Sequence, residues 1–292
     1  MYQKVGCEAG EERITIPTNR IACLHFACFL VHATFVGITA FFSQGKDISV
    51  AIHTVRVQWD PCSPETYTFD MQALQERASL SNMTLAFFSL SALQHFAWCV
   101  GHISGASWFI KYFLEELIRG HSWWRWVEYS ASATVMLVQI AILVGIRDLF
   151  TLQLLAALSI TTMLCGWMTE ILSSCRFHCD SYGRRMLPHI LGWVPYSAAW
   201  SVILSHFFSY EESPSWVKWT VGGCAVSFTS FAFVQAVFQA RPACEYYKTE
   251  YYYCVLSLVS KVYLGAFVLS NVILTALDVI SISNSTSQES CE

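Results

Sequence analysis

Apolar residues in this chain fall in runs long enough to cross a hydrocarbon core, which takes about 20 residues as helix. The runs cover residues 21–43, 80–102, 122–146, 150–172, 187–208, 216–238 and 252–278, and most breaks between them are short and polar, as at Arg147-Asp148 and Ser209 to Pro214. The pattern predicts an all-α membrane protein, a single compact bundle of seven transmembrane helices with antiparallel neighbours. No internal repeat is visible.

The one long connection, 46–77, contains Ile48, Val50, Ile52, Thr54 and then Val55, Val57, Trp59, a local period of two that fits a β-hairpin. The alternation changes phase at Thr54-Val55 and is followed by Pro61 and Pro64, which fits an irregular loop equally well.

Lys and Arg counts on alternate sides orient the bundle, because cytoplasmic loops keep the excess. The N-terminal side carries eleven (Lys4, Arg13, Arg20, Lys111, Arg119, Arg125, Arg176, Arg184, Arg185, Arg241, Lys248) and the opposite side five (Lys46, Arg56, Arg77, Arg147, Lys218). The expectation is a cytoplasmic N-terminus and an extracellular C-terminus, with segment 1–20 inside, a core of 21–278 and a tail of 279–292 outside. The first nineteen residues contain Glu8, Glu11, Glu12 and Pro17 and show neither a basic start nor a small-residue cleavage site, so the first run reads as a retained anchor.

Composition agrees with a membrane protein: 54% of the 292 residues are hydrophobic and 13% charged, against a usual roughly 25% charged. A net charge of -4 supplies no basic field for nucleic acid. Twelve cysteines, spread through apolar runs, lack the paired spacing of a zinc site or a disulfide scaffold, so no metal is expected. No phosphate-binding glycine loop or nucleophile–base constellation supports an enzyme.

One basic residue belongs to neither side. Lys261 lies inside the last run, too deep to snorkel easily to water, where an ionisable group is a functional candidate costing about 2.5–3.5 kcal/mol to insert. It either needs a buried partner or serves as a covalent attachment point for a cofactor. Glu128 in the third run is the best partner, since both residues sit about 12–16 Å from the N-terminal-side ends of their helices at 1.5 Å per residue. A pair across two helices relieves two costly charges at once; it also fits a purely structural lock.

Ser132 lies one turn beyond Glu128, and Ser257 one turn before Lys261. His25 and His32 in the first run, and His95 and His102 in the second, recur at seven-residue spacing and fit a hydrated proton-handling cluster, or histidines satisfied singly. Trp167, Pro195, Tyr196, Phe228, Phe231 and Gln235 could wall an elongated apolar ligand, or simply pack.

The string Arg125-Trp126-Val127-Glu128-Tyr129-Ser130, joined to Leu256-Ser257-Leu258-Val259-Ser260-Lys261 on the last of seven spans, closely resembles the heliorhodopsins. Asn19-Arg20-Ile21-Ala22 before His25, Leu90-Ser91-Ala92-Leu93-Gln94-His95-Phe96, Gly166-Trp167 followed by Glu170, Val194-Pro195 and Ser230-Phe231-Ala232-Phe233-Val234-Gln235 extend the resemblance over all seven spans. It implies a rhodopsin inverted in the membrane, in agreement with the charge count. It implies all-trans retinal on Lys261 as a Schiff base, Glu128 as counterion, and a pocket touching Ser91, Tyr129, Ser132, Met136, Trp167, Pro195, Phe228 and Ser257. It also places His25 and His95 in a polar cytoplasmic-side cavity, and makes the 46–77 connection a two-stranded extension at a homodimer contact.

The resemblance implies a light receptor acting on an unidentified signalling partner. The many cysteines, the acidic N-terminus and the Ser/Asn-rich tail depart from the better-known pattern. The additional His and Glu residues keep light-driven or light-gated proton transport open, with His25, His95 and Glu128 inward and Glu211, Glu212 or Asp278 outward. A non-retinal membrane receptor or enzyme is the third class. Asn284-Ser285-Thr286 is a glycosylation acceptor if exterior, and Cys62 and Cys291 could pair there.

Overall fold

The computed structural model describes residues 16–43, 49–60, 63–174, 181–209, 214–241 and 245–274. Glu211, Glu212, Asp278, the Asn284 sequon and both Cys62 and Cys291 lie outside the described residues.

The described elements, in chain order, are α1 (Thr18–Ser43), β1 (Ser49–Asp60), β2 (Ser63–Ser79), α2 (Leu80–Ser104), α3 (Ser107–Phe109) and, after a π-helical turn Ile110–Leu114, α4 (Glu115–Arg119). There follow α5 (Trp123–Leu143), α6 (Leu149–Ser173), the short α7 (Tyr182–Arg185), α8 (Leu187–Ser209), α9 (Ser215–Gln239) and α10 (Lys248–Val268), which continues as a π-helix over Leu269–Leu274. The seven long helices match the seven runs. Six of them are long and apolar enough to cross a membrane; α8, whose run is diluted by His189, Pro188, Pro195 and several serines, is the seventh long helix.

Neighbours pack in the order α1, α2, α5, α6, α8, α9, α10, and α10 returns to α1, closing a ring. The chain ends of these helices are set locally. Ser79 caps α2 by accepting from the Asn82 N–H at 3.1 Å, and Asp148 caps α6 by accepting from Thr151 N–H at 2.8 Å. Gly105 and Gly120, with φ of 58° and 91°, end α2 and α4 in the left-handed region where a side chain is strained.

The 46–77 connection is a hairpin among its described residues: β1 and β2 pair antiparallel, with register shifts at Ala51/His53 and Trp59/Asp60. At the first irregularity the two steps of β1 from Ala51 to His53 face four of β2 from Arg77 to Ala73, so the excess residues bulge from β2, and Ile52 and Thr54 stay on the buried face of β1. The hairpin is tied to the α5–α6 turn by His53 N–H donating to Arg147 O at 2.9 Å, and Ile52 joins Leu80 in the main core.

Two boundaries differ from expectation with consequences for the site. The last helix begins at Lys248 rather than 252, so Glu250 is helical and buried. Arg125, counted above with the loops, sits inside α5 and is 1% exposed. Removing it leaves ten basic residues against five, and the sign of the bias stands.

Candidate functional site

Lys261 lies well inside α10, and its Nζ donates to Glu128 Oε1 at 2.8 Å and to Ser257 Oγ, one turn earlier, at 2.9 Å. Ser91 on α2 donates to the same Glu128 oxygen at 2.6 Å. Lys261, Glu128, Ser91 and Ser257 are all buried. Glu128 Oε2 and Ser132 Oγ have no hydrogen-bond partner among the described residues. A buried ion pair compensates its desolvation when its remaining lone pairs are satisfied, and here one carboxylate oxygen is left over.

Lys261, Ser257 and Ser260 open onto an apolar cavity between α5, α6, α8 and α9. Tyr129, Ser132, Met136 and Phe228 line it, with Tyr196, Phe231 and Gln235. Trp167 is half-buried and Pro195 is buried within α8, but neither is among the lining residues, and Ser91 meets Glu128 behind the lysine.

The sequence reading passed over much of the wall. His189, Gly192, Trp193, Ala199 and Trp200 of α8 line the cavity beside the expected Tyr196, at helical spacings of three and four. Periodicity is the signal that could have found them, but it is hidden when the opposite face meets lipid and is apolar too. The polar end of this wall is organised: Gln235 Nε2 donates to Gly166 O at 2.7 Å, and its Oε1 lies 2.9 Å from His189 Nδ1.

Toward the N-terminal face lies a second buried network. Arg125 pairs with Glu170 at 2.7 Å and with Glu250 at 2.6 Å, donates to the Tyr246 hydroxyl, and stacks its guanidinium 4.3 Å from the Tyr253 ring centroid. Glu170 also accepts from the Ser122 backbone N–H at 3.2 Å. Just before α10, burial pushes the Tyr246 phenol well above its ordinary value, so it meets Arg125 as a neutral hydroxyl.

His25 joins this network to α2. Its Nε2 is 3.4 Å from Glu250 Oε1 and 3.8 Å from Cys254 Sγ, and its Nδ1 is 2.7 Å from His95 Nδ1. His25, His95 and Cys254 are buried with ligand atoms within 4.8 Å of one another, close enough to share a metal ion. His32 stacks on His95 at 5.3 Å, and neither of its nitrogens has a partner among the described residues; His102 instead stacks on Trp98.

A closed ring of seven long helices around a buried lysine–glutamate pair and an aromatic-walled cavity defines a rhodopsin-type membrane protein. The family model described as Heliorhodopsin matches residues 22–273, so the chain belongs to the heliorhodopsin family. No curated protein matches the sequence. Solved structures of the same fold include the transmembrane domain of Salpingoeca rosetta rhodopsin phosphodiesterase, 12% identical over 88% of this chain and 85% of that one, TM-score 0.60. Thermophilic rhodopsin from Rubrobacter xylanophilus is 16% identical over 86% and 95%, TM-score 0.57. The light-driven proton pump of Coccomyxa subellipsoidea is 13% identical over 92% and 99%, TM-score 0.56.

The chain is thus a multi-pass integral membrane protein of a retinal-binding family. Its own residues fit that group: a buried primary amine opens on an aromatic-walled cavity, a carboxylate stands against the amine, and an unsatisfied Ser132 hydroxyl lies on the wall.

Proposed function

We propose that the chain is a light receptor that holds all-trans retinal through Lys261 Nζ, with Glu128 as counterion. The observation that carries this reading is the 2.8 Å contact of Lys261 Nζ with Glu128 Oε1 beside the cavity. Retinal bound there supplies a light-driven isomerisation. Glu128 keeps the positive charge at the Lys261 nitrogen favourable, and Ser257 and Ser91 hold the two partners in place. Tyr129, Met136, Phe228 and the α8 tryptophans exclude water, which strengthens that electrostatic contact.

A change at the nitrogen alters the energy of the Lys261–Glu128 contact, which joins α10 to α5, and so biases the arrangement of helices for a signalling partner. The Ser91 contact extends the coupling to α2. His25 and His95 form the proton-handling cavity on the N-terminal side.

The surviving excess of basic residues on that side supports a cytoplasmic N-terminal segment 1–20, a retinal-binding domain 21–278 and an exterior tail 279–292. The hairpin then lies outside, where it is the contact of a homodimer. Retinal added to the full chain gives a visible band, and Lys261→Ala gives none although it still reaches the membrane. A coloured Lys261→Ala protein overturns the assignment.

A further inference from the structure

Between the lysine and the hairpin face, α2 and α5 carry two facing columns of buried polar side chains. On α5 the column is Glu128, Ser132 and Gln139; on α2 it is Ser91, Thr84 and Ser81. The spacings of four and seven on α5, and of seven and three on α2, keep each column on one helical face. Thr39, one turn from the hairpin-side end of α1, adds a hydroxyl at the outer level.

The columns meet at two levels. The inner one is Ser91 donating to Glu128 at 2.6 Å; the outer one is Gln139 Nε2 donating to Thr84 Oγ1 at 2.9 Å and to Leu80 O at 3.0 Å. About 10 Å of helix, seven residues at 1.5 Å each, separates the levels. Phe87, Phe88 and Met136, all buried, occupy that interval.

The outer level holds more polar atoms than its own hydrogen bonds use. Thr39, Ser81, Thr84 and Gln139 are at most 1% exposed, yet Thr39 Oγ1, Ser81 Oγ and Gln139 Oε1 have no partner among the described residues. At the inner level the same holds for Glu128 Oε2 and Ser132 Oγ. Buried oxygens without protein partners are where internal water binds, at two to four hydrogen bonds each. A bundle needing only to pack would place alanine or valine at such positions.

We propose that these residues are the two ends of a proton path from Glu128 to the hairpin face, a water-binding outer station at Thr84, Gln139, Ser81 and Thr39 being closed off by Phe87, Phe88 and Met136. Met136 both lines the cavity and stands in the gap, so a displacement within the cavity acts directly on the closure. The step moves one proton and no electrons: Glu128, protonated from the Lys261 nitrogen, returns to carboxylate, and the proton enters water held by the outer station. This inference rests on retinal being held at Lys261.

The test is light-evoked current from the full retinal-loaded chain in voltage-clamped cells, with Thr84→Val, Thr84→Ser and Gln139→Leu compared at equal colour and surface level. The expected result is a current that responds to the proton gradient, falls on the order of tenfold or more in Thr84→Val and Gln139→Leu, and is retained in Thr84→Ser. Thr84→Val is nearly isosteric and changes little besides the hydroxyl, so it guards against a folding failure of Gln139→Leu. A coloured, surface-localised protein that is silent overturns the path, as does a current that both hydroxyl- and amide-deleting variants leave intact. A colourless wild type overturns the retinal reading, and this inference with it.

Discussion

The bundle buries two ionic sites, within a turn of each other on α5 and about three turns apart on α10, and they are built on opposite terms. Around Arg125 each charge has more than one partner: two carboxylates, a phenol and an aromatic face surround one guanidinium, of whose nitrogens only Nε has no hydrogen-bond partner among the described residues. Around Lys261 a single carboxylate does the pairing, one of its oxygens is unmatched among the described residues, and a cavity lies alongside. A multiply paired network holds one geometry because every change strands a charge. An undersatisfied pair beside open space can change partners, which is what a light-triggered switch requires. The difference suits a structural role at the first site and the proposed chemistry at the second.

The sharpest way to break this comparison is to delete each cation. Arg125→Leu leaves Glu170 and Glu250 facing one another in the interior, and removing one partner of a buried ion network costs about 3–5 kcal/mol. A large fall in Tm, or failure to accumulate folded protein, is expected. Lys261→Ala removes the colour but strands only Glu128, still bonded to Ser91 beside the cavity, and so lowers Tm less. Thermal loss of helical signal in the two variants decides the matter, and equal losses would remove the distinction between the sites.

Glu128→Gln tests the second site from the anionic side. The amide keeps the size and a hydrogen bond to Lys261 or Ser91 but removes the counter-charge. The protein is expected to fold with a small change in Tm while its visible band moves. Glu170→Gln, in the other network, is expected to do the reverse, lowering Tm and leaving the band nearly in place. Absorption spectra and melting curves of both variants, taken together, expose any crossover.

The two sites also differed in how far the sequence disclosed them. Lys261 and Glu128 stood out because each interrupts an apolar run well inside it, where a charge has no ordinary reason to be. Glu250 and Arg125 lie within a turn of their helix starts, and from sequence such residues look like loop charges because helix ends are uncertain by a few residues. Glu250 entered the core only once α10 was seen to begin at Lys248. The seven helices were legible from run length alone. The α8 wall was not, since the cavity and the lipid both select apolar side chains and no polar face marks which way Trp193 or Trp200 points. The hairpin was half legible, its alternation changing phase at Thr54-Val55 although the pairing runs unbroken through both residues.

Gly166 probes both sites at once, because it lies where the wall of the cavity meets the helix that carries both ionic sites. A Cβ placed there would collide with the Trp126 ring, which lines the cavity and is too rigid to fold aside. The Gly166 carbonyl also accepts from Gln235, whose amide oxygen contacts His189, so a shift at this point reaches the polar end of the α8 wall. Gly166→Ala is therefore an overpacking substitution, expected to cost about 1–3 kcal/mol. Trp126 stands between Arg125 and the cavity, so its displacement has two ways to be felt. If the Arg125 network is as rigid as its multiple pairing implies, the ring yields toward the cavity, and a small band shift accompanies the lower Tm. A lower Tm with an unmoved band would mean that the charged network gives way first, and would reverse the assignment of rigidity on which the comparison stands.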